Sequence, residues 1–375
     1  MKFLIIPDKF KGSLSSSQVI DSLEKGIRRF DRSAKFKSVS ISDGGDGFLA
    51  SLNKILNLDE IKLMGRDSLM REIETSYLIS KKNKTAYIEL AKSCGVSSLK
   101  QEERNPLVTS TYGTGVEINH ALKSGIKKLV IGLGGSSTND LGLGIMSALG
   151  VKFLDKDEVN LIPNGSNLSK ISTIIFDCDI KEKINNVEWE VINDVKNVTF
   201  GINGCAMVYA SQKGASKKDI KYLEESGLKI HKLLINLFNK DYSKLKGSGA
   251  AGGTAYGLKL FTDCKFSNGI EFIFKKTDLD NFLLNEKYDY AITGEGQIDS
   301  QTLNGKAVES ILKKLNKYKI PIIIVCGKNK INITQLSSYN VKSIISISSK
   351  DRIEDLVMKN ASKYLEEDIY QYFKN

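Results

Sequence analysis

Lys128-Leu129-Val130-Ile131-Gly132-Leu133-Gly134-Gly135-Ser136-Ser137-Thr138-Asn139-Asp140 is the stretch on which the reading of the fold turns. Leu129, Val130 and Ile131 form a short apolar run of the kind that makes a buried strand. Gly132, Gly134 and Gly135 leave no side chain between the backbone and whatever sits at the strand's end. Ser136, Ser137, Thr138 and Asn139 add hydroxyls, an amide and N-cap chemistry, and Ile145, Met146, Ala148 and Leu149 predict a short helix. A strand, a glycine turn and a helix start bring backbone N–H groups together at the positive end of a helix dipole, which suits an anionic oxygen, most often a phosphate. Asp140 is close enough in sequence to help hold a metal ion. The spacing is not a P-loop, because no Gly-Lys-Ser/Thr follows, and not a clean G-x-G-x-x-G. The alternative is a tight turn that packs a helix against a sheet.

The same alternation recurs on both sides. Phe3–Ile6 predicts a buried strand, followed by the polar loop Pro7-Asp8-Lys9-Phe10-Lys11-Gly12-Ser13 and a capping box at Ser15–Gln18. Asp8, Lys9, Lys11 and Ser13 therefore gather at the carboxyl end of a strand, where open α/β sheets place ligands. A strand near Lys37–Ile41 runs into Asp43-Gly44-Gly45-Asp46-Gly47; its carboxylates could be a metal ligand and a base, or helix caps. Residues 62–92 alternate as in partly antiparallel strands. Gly249–Gly253 is a second glycine-rich segment. Tyr288–Ile292 is a strand, with Thr293-Gly294-Glu295-Gly296-Gln297-Ile298-Asp299 as its terminal loop and a helix starting at Asn304-Gly305-Lys306. Strands at Ile320–Val325 and Ser343–Ile347 and a closing helix over Ile353–Phe373 complete a parallel-sheet pattern. The expected architecture is α/β: a Rossmann-like domain (1–62, 105–150 and 285–375) with a mixed α/β domain inserted (63–104 and 151–284) and an active-site cleft between them.

With 375 residues, two domains is the prior, and no apolar run reaches the ~20 residues of a membrane helix. The start turns acidic too early for a signal peptide, so a cytoplasmic protein is expected. The cysteines form no C-x-x-C pair, and two histidines exclude multi-histidine metal sites. Acid–base chemistry then falls to Asp, Glu and Lys. The net charge of +11 lies in short lysine clusters without a stripe of stacking aromatics, which argues against nucleic-acid binding and would draw in small anions.

Six segments, in order and spanning almost the whole chain, resemble the bacterial glycerate kinases of the glycerate 2-kinase type. They are Pro7–Leu14, Asp43–Gly47, Gly134–Asp140, Gln212–Ala215, Gly249–Gly253 and Thr293–Thr302. The chain departs from the family's usual pattern at Asp46 (usually Glu), at Asn193 (often Cys), at Asn197-Val198-Thr199 (usually Asn-Pro-Leu) and at Tyr209-Ala210-Ser211 (usually Phe-Gly-Pro). The resemblance implies ATP-dependent, Mg²⁺-assisted phosphorylation of a glycerate hydroxyl, with 2-phosphoglycerate the favoured product.

Under that implication Asp43, Asp194 and Lys11 are the catalytic candidates and Asp8, Lys9, Ser13 and Lys213 bind substrate. Gly134, Gly135, Ser136, Ser137, Thr138 and Glu295 bind nucleotide, and Asp43 and Glu295 hold metal. The partners are glycerate and a nucleotide, with neither nucleic acid nor membrane; a homodimer is compatible with the sequence. Three alternatives stay open: a kinase for a related sugar acid, an NAD(P)-dependent oxidoreductase acting on a small hydroxy acid, and a non-catalytic metabolite-binding protein. The oxidoreductase is disfavoured because the first strand–helix loop lacks G-x-G-x-x-G.

Overall fold

The computed structural model describes residues 1–42, 44–300, 302, 307–348, 352 and 354–375, with the side chains of 354 and 355 left aside. In chain order the strands are β1 (Lys2–Pro7), β2 (Lys35–Ser38), β3 (Asp59–Arg66), β4 (Glu72–Ser80), β5 (Thr85–Glu89), β6 (Lys128–Gly132), β7 (Lys152–Leu154), β8 (Thr173–Ile175), β9 (Glu188–Ile192), β10 (Lys265–Ser267), β11 (Tyr290–Ile298), β12 (Ile322–Asn329) and β13 (Val341–Ser346). The chain divides into a first unit, residues 1–42, 54–56 and 270–375, and a second unit, residues 43–53 and 57–269. The second is thus inserted, in sequence, into the first.

The first unit is built on a five-stranded sheet in the order β13-β12-β11-β1-β2. All its pairings are parallel. Phe3, Leu4, Ile5 and Ile6 are buried on both faces of β1, as a helix-covered parallel sheet requires. The helix Ser16–Phe30 opens on the expected capping box: Ser15 Oγ accepts from Gln18 N and Gln18 Oε1 accepts from Ser15 N. Its buried residues Val19, Leu23 and Ile27 share a core with Ile292, Ile323, Leu365 and Ile369. Gly26 admits the helix Ala361–Lys374, since a Cβ there would stand 2.3 Å from the Glu366 carbonyl oxygen. The chain folds out in one direction from β1 to β2 and in the other from β11 to β13. This places the topological switch point between the carboxyl ends of β1 and β11.

The second unit carries a six-stranded sheet, β10-β9-β6-β5-β4-β3, and a two-stranded ribbon, β7-β8. β3-β4-β5 are antiparallel, as the alternation over 62–92 predicts, and β5, β6, β9 and β10 are parallel. The core around Ile88, Leu129, Ile131, Ile118, Met146 and Tyr256 lies here.

Three expectations are corrected. Residues 1–62 and 105–150 are expected with the first strand, but 43–53, 57–62 and 105–150 belong to the second unit, where β3 pairs with β4 and β6 with β5 and β9, while 270–284 belongs to the first. A strand–turn–helix unit reads the same whichever sheet it joins, so periodicity could not choose. Thr293–Ile298 is strand rather than terminal loop, because β12 extends far enough to pair Gln297 with Lys328 and Ile298 with Asn329. The closing helix is two, Glu354–Lys359 and Ala361–Lys374, with Asn360 between them. The helix start expected at 304–306 lies outside the described residues.

Candidate active site

At the carboxyl ends of β1 and β11 the first unit gathers Asp8, Lys9, Lys11, Ser13 and Glu295. Asp8 N donates to Gly294 O at 2.8 Å, which pins the start of the loop to β11. Asp8 Oδ1 accepts from Lys9 N at 2.7 Å. Phe10 and Leu14 then close a tight turn by exchanging backbone bonds of 2.8 and 3.0 Å. Gly12 takes the turn's left-handed position at φ +84°. Ser13 Oγ donates to Phe10 O at 3.2 Å, so the hydroxyl helps hold the turn. Lys11 is exposed at its tip. Gly296 lets β11 pass directly beneath, since a Cβ there would lie 3.0 Å from Lys11 N. Glu295, half-buried, pairs in register with Cys326 of β12.

The second unit brings three glycine-rich segments together at the carboxyl ends of its parallel strands. Gly134 N donates to Gly44 O at 2.9 Å, and a Cβ on Gly134 would meet the Cα of Gly45 at 2.4 Å. A Cβ on Gly252 would meet the Thr138 carbonyl oxygen at 2.1 Å, and Leu141 N donates to Gly252 O at 3.2 Å. Ala251, Gly252 and Gly253 are all left-handed, at φ of 53°, 66° and 82°, ahead of the helical turns that run to Thr262. These glycines therefore permit segment-on-segment contact.

The helix after Gly134–Asp140 is only Leu143–Ala148, and its amino end is already met by a carboxyl group of the chain. Asp140 is fully buried; its Oδ2 accepts from Thr111 N at 2.7 Å and Gly144 N at 3.2 Å, and its Oδ1 from Gly142 N at 3.1 Å. Thr111 Oγ1 accepts from Ile145 N at 3.0 Å. Burial raises the Asp140 pKa, and the amide and hydroxyl donors oppose that rise. The helix-dipole argument for a phosphate here is thus corrected, as is the suggestion of a metal at Asp140: the chain's own carboxylate takes the place of the ligand.

What charges the turn instead is Lys213. It is 3% exposed, and its ammonium donates to Ser136 Oγ at 2.8 Å and Thr138 O at 2.6 Å. Burial lowers its pKa to about 8, with the charge of Asp140 among the opposing influences. Among the described residues no carboxylate forms an ion pair with it. Thr138 Oγ1 and Asn139 Oδ1, also buried, have no hydrogen-bond partner among the described residues. Gly135 and Ser137 complete the turn through Val96 N→Gly135 O and Ser137 N→Cys94 O, each 2.8–2.9 Å.

Asp194, at the end of β9, accepts at Oδ1 from Asn268 Nδ2 (2.7 Å) and Gly269 N (2.8 Å), where the chain leaves the second unit. Asp43 lies outside the described residues. Glu295 belongs to the first unit and the other nucleotide-binding candidates to the second.

Sequence reasoning missed Glu89. Its carboxylate, at the end of β5, accepts from Gly47 N at 3.1 Å and Leu49 N at 3.0 Å. It also missed the Asp140–Thr111 pair. Partners 29 to 42 residues apart leave no local signal, though an Asp just ahead of a Gly-Leu-Gly run was a hint of capping.

Residues 3–374 match the glycerate kinase family. A glycerate kinase of Bacillus cereus is 33% identical over 100% of this chain and 97% of its own length. The glycerate 2-kinase of Escherichia coli is 32% identical over 92% of this chain and 90% of its own. The crystal structure of a "putative glycerate kinase 2" from Salmonella typhimurium superposes with a TM-score of 0.81 at 30% identity, covering 100% of this chain and 97% of that one. Six ordered motifs, an inserted two-unit α/β fold and full-length similarity converge: the chain belongs to the glycerate kinase family.

Proposed function

We propose that this enzyme phosphorylates a hydroxyl of glycerate with ATP and Mg²⁺, with 2-phosphoglycerate the favoured product. Family membership sets the reaction class and removes the oxidoreductase reading. Lys213 is the observation that carries the phosphate chemistry: a buried ammonium against a glycine turn, bonded among the described residues to a hydroxyl and a carbonyl, is a positive charge suited to an anion.

Phosphoryl transfer asks a protein for positioning and charge neutralisation more than for covalent chemistry. In the second unit Lys213 and the Gly134–Thr138 turn bind anionic oxygen, either nucleotide phosphate or the glycerate carboxylate. In the first unit Asp8, Lys9 and Ser13 orient the substrate on the turn at the switch point, and Lys11 offsets charge on the transferred group. Asp43 or Asp194 accepts the hydroxyl proton. Mg²⁺ is held by one or two carboxylates together with phosphate oxygens. Glu295, a half-buried carboxylate within β11 beside the end of β1, has the donor chemistry for it, as does Asp43. When bound, the ion would neutralise charge on the phosphates.

The test is a coupled ADP-release assay with ATP, Mg²⁺ and D-glycerate, followed by phosphorus NMR of the product. Glycerate-dependent release giving 2-phosphoglycerate is expected, and folded protein that releases no ADP with glycerate refutes the reading. Asp43→Asn or Asp194→Asn with turnover intact removes that residue as the base.

A further inference from the structure

We propose that Glu89 is a positioning residue of the phosphoryl-transfer site, holding the acidic glycine segment that follows β2 in its working conformation; this rests on the function proposed above. The helix Phe48–Leu56 begins at Gly47, which is left-handed at φ 89° and has no side chain to cap it. Its free N–H groups are met from another strand, by both oxygens of Glu89. Glu89 ends β5 in register with Gly132, the last residue of β6.

From β6, Gly134 N holds Gly44 O, and a Cβ on Gly132 would stand 2.5 Å from that same oxygen. On its other side, a Cβ on Gly44 would meet the Ile192 carbonyl oxygen at 2.7 Å. Glycines 44, 45 and 47 contribute no side chains of their own to this arrangement. The segment between Gly44 and Leu49 is therefore bonded to the turn after β6, packed closely against the end of β9 and held by one carboxylate from β5. Asp46 lies inside the gripped segment and Asp43 directly precedes it.

Glu89 is nearly buried, and burial raises its pKa, opposed by the two amides and reinforced by Asp46. A carboxylate whose two oxygens each hold a backbone amide acts through the segment it holds rather than on substrate. Glu89→Gln keeps the shape but turns an NH₂ donor toward an N–H donor, so one grip is lost.

The experiment measures kcat, KM, Tm and amide hydrogen exchange in wild type and Glu89→Gln. The expected result is a fall in kcat of about 100-fold from a misplaced segment, with KM for glycerate and ATP unchanged. Tm should stay within about 4 °C of wild type, and the Gly47 and Leu49 amides should lose exchange protection. An unchanged kcat, a parallel rise in KM, or wild-type protection at those amides would each overturn the proposal. If Glu89→Gln does not fold, Glu89→Asp, which keeps the charge but withdraws it, takes the same readouts. If the wild type fails to phosphorylate glycerate, the proposed function falls, and exchange at Gly47 and Leu49 still decides whether Glu89 holds the segment.

Discussion

Lys213 is held almost wholly out of water with a hydroxyl and a carbonyl as its partners, so its charge has a cost that a bound anion would offset. With its pKa lowered to about 8, the ammonium is lost as pH rises through that value. The KM of the anionic substrate it binds should therefore climb above pH 8 in the wild type, while Lys213→Met should show a high KM that is flat across the range. The stability sign is opposite. Between about 8 and the ordinary lysine value of 10.5 the unfolded chain holds the extra proton, so unfolding free energy rises with pH there. Glu117 behaves the other way. It is fully buried, Thr75 Oγ1 donates to it at 2.6 Å, and burial raises its pKa to about 8. From the ordinary 4.5 up to about 8 only the folded state keeps the proton, so stability falls as pH rises, at a limiting slope of about 1.4 kcal/mol per pH unit. Denaturant titrations of Glu117→Gln should show that slope removed from this window. Lys213 is marked in the sequence only by the family resemblance of Gln212–Ala215, and Glu117 not at all, because a lysine after Ser-Gln and a glutamate on a helix are usually surface groups; their burial is a tertiary fact.

The elements divide into those that stand on local chemistry and those that stand on contact with a distant segment. The helix Ser16–Phe30 is of the first kind. Ser15→Ala should cost about 1 kcal/mol, seen as a lower Tm with kinetics unchanged, because the capping box was complete within four residues. The Gly134 turn is of the second kind. Gly134→Ala places a methyl 2.4 Å from the Gly45 Cα and forces two backbones apart, so both Tm and kcat should fall. Gly125→Ala is the contrast. Its φ of +72° is strained for alanine, but nothing lies within 4 Å of the added methyl. It should cost about 1 kcal/mol and leave activity intact. Gly134 is not left-handed, so equal losses of activity in the two variants would show that general destabilisation, not the packing of glycine segments, lowers turnover. The turn's composition was legible as a site of close backbone approach. That the approaching group is residues 44–46 was not, because three glycines accept a ligand or a neighbouring loop equally well.

At the scale of the whole molecule a net charge of +11 surrounds a chemistry of anions. Association of an anionic substrate should therefore weaken as salt shortens the Debye length from about 30 Å at 0.01 M to about 8 Å at 0.15 M. The kcat/KM should fall across that range with kcat unchanged, and a flat response would show that the lysine clusters act only as solvated surface. Parallel strands, their helices, the interruption by antiparallel strands over 59–89 and the ordered motifs were all written in local pattern. Side-chain period and turn chemistry are properties of neighbouring residues, and so the sequence by itself determined the α/β class, the insertion of one unit in another and the family. Which sheet β6 joined, how far β11 ran, and that Asp140 rather than a ligand meets the helix Leu143–Ala148 were decided only in the tertiary structure. So was the burial of Lys213 and the grip of Glu89 on Gly47 and Leu49. Each of these depends on a partner tens of residues away, brought within bonding distance only once the apolar faces have closed on one another.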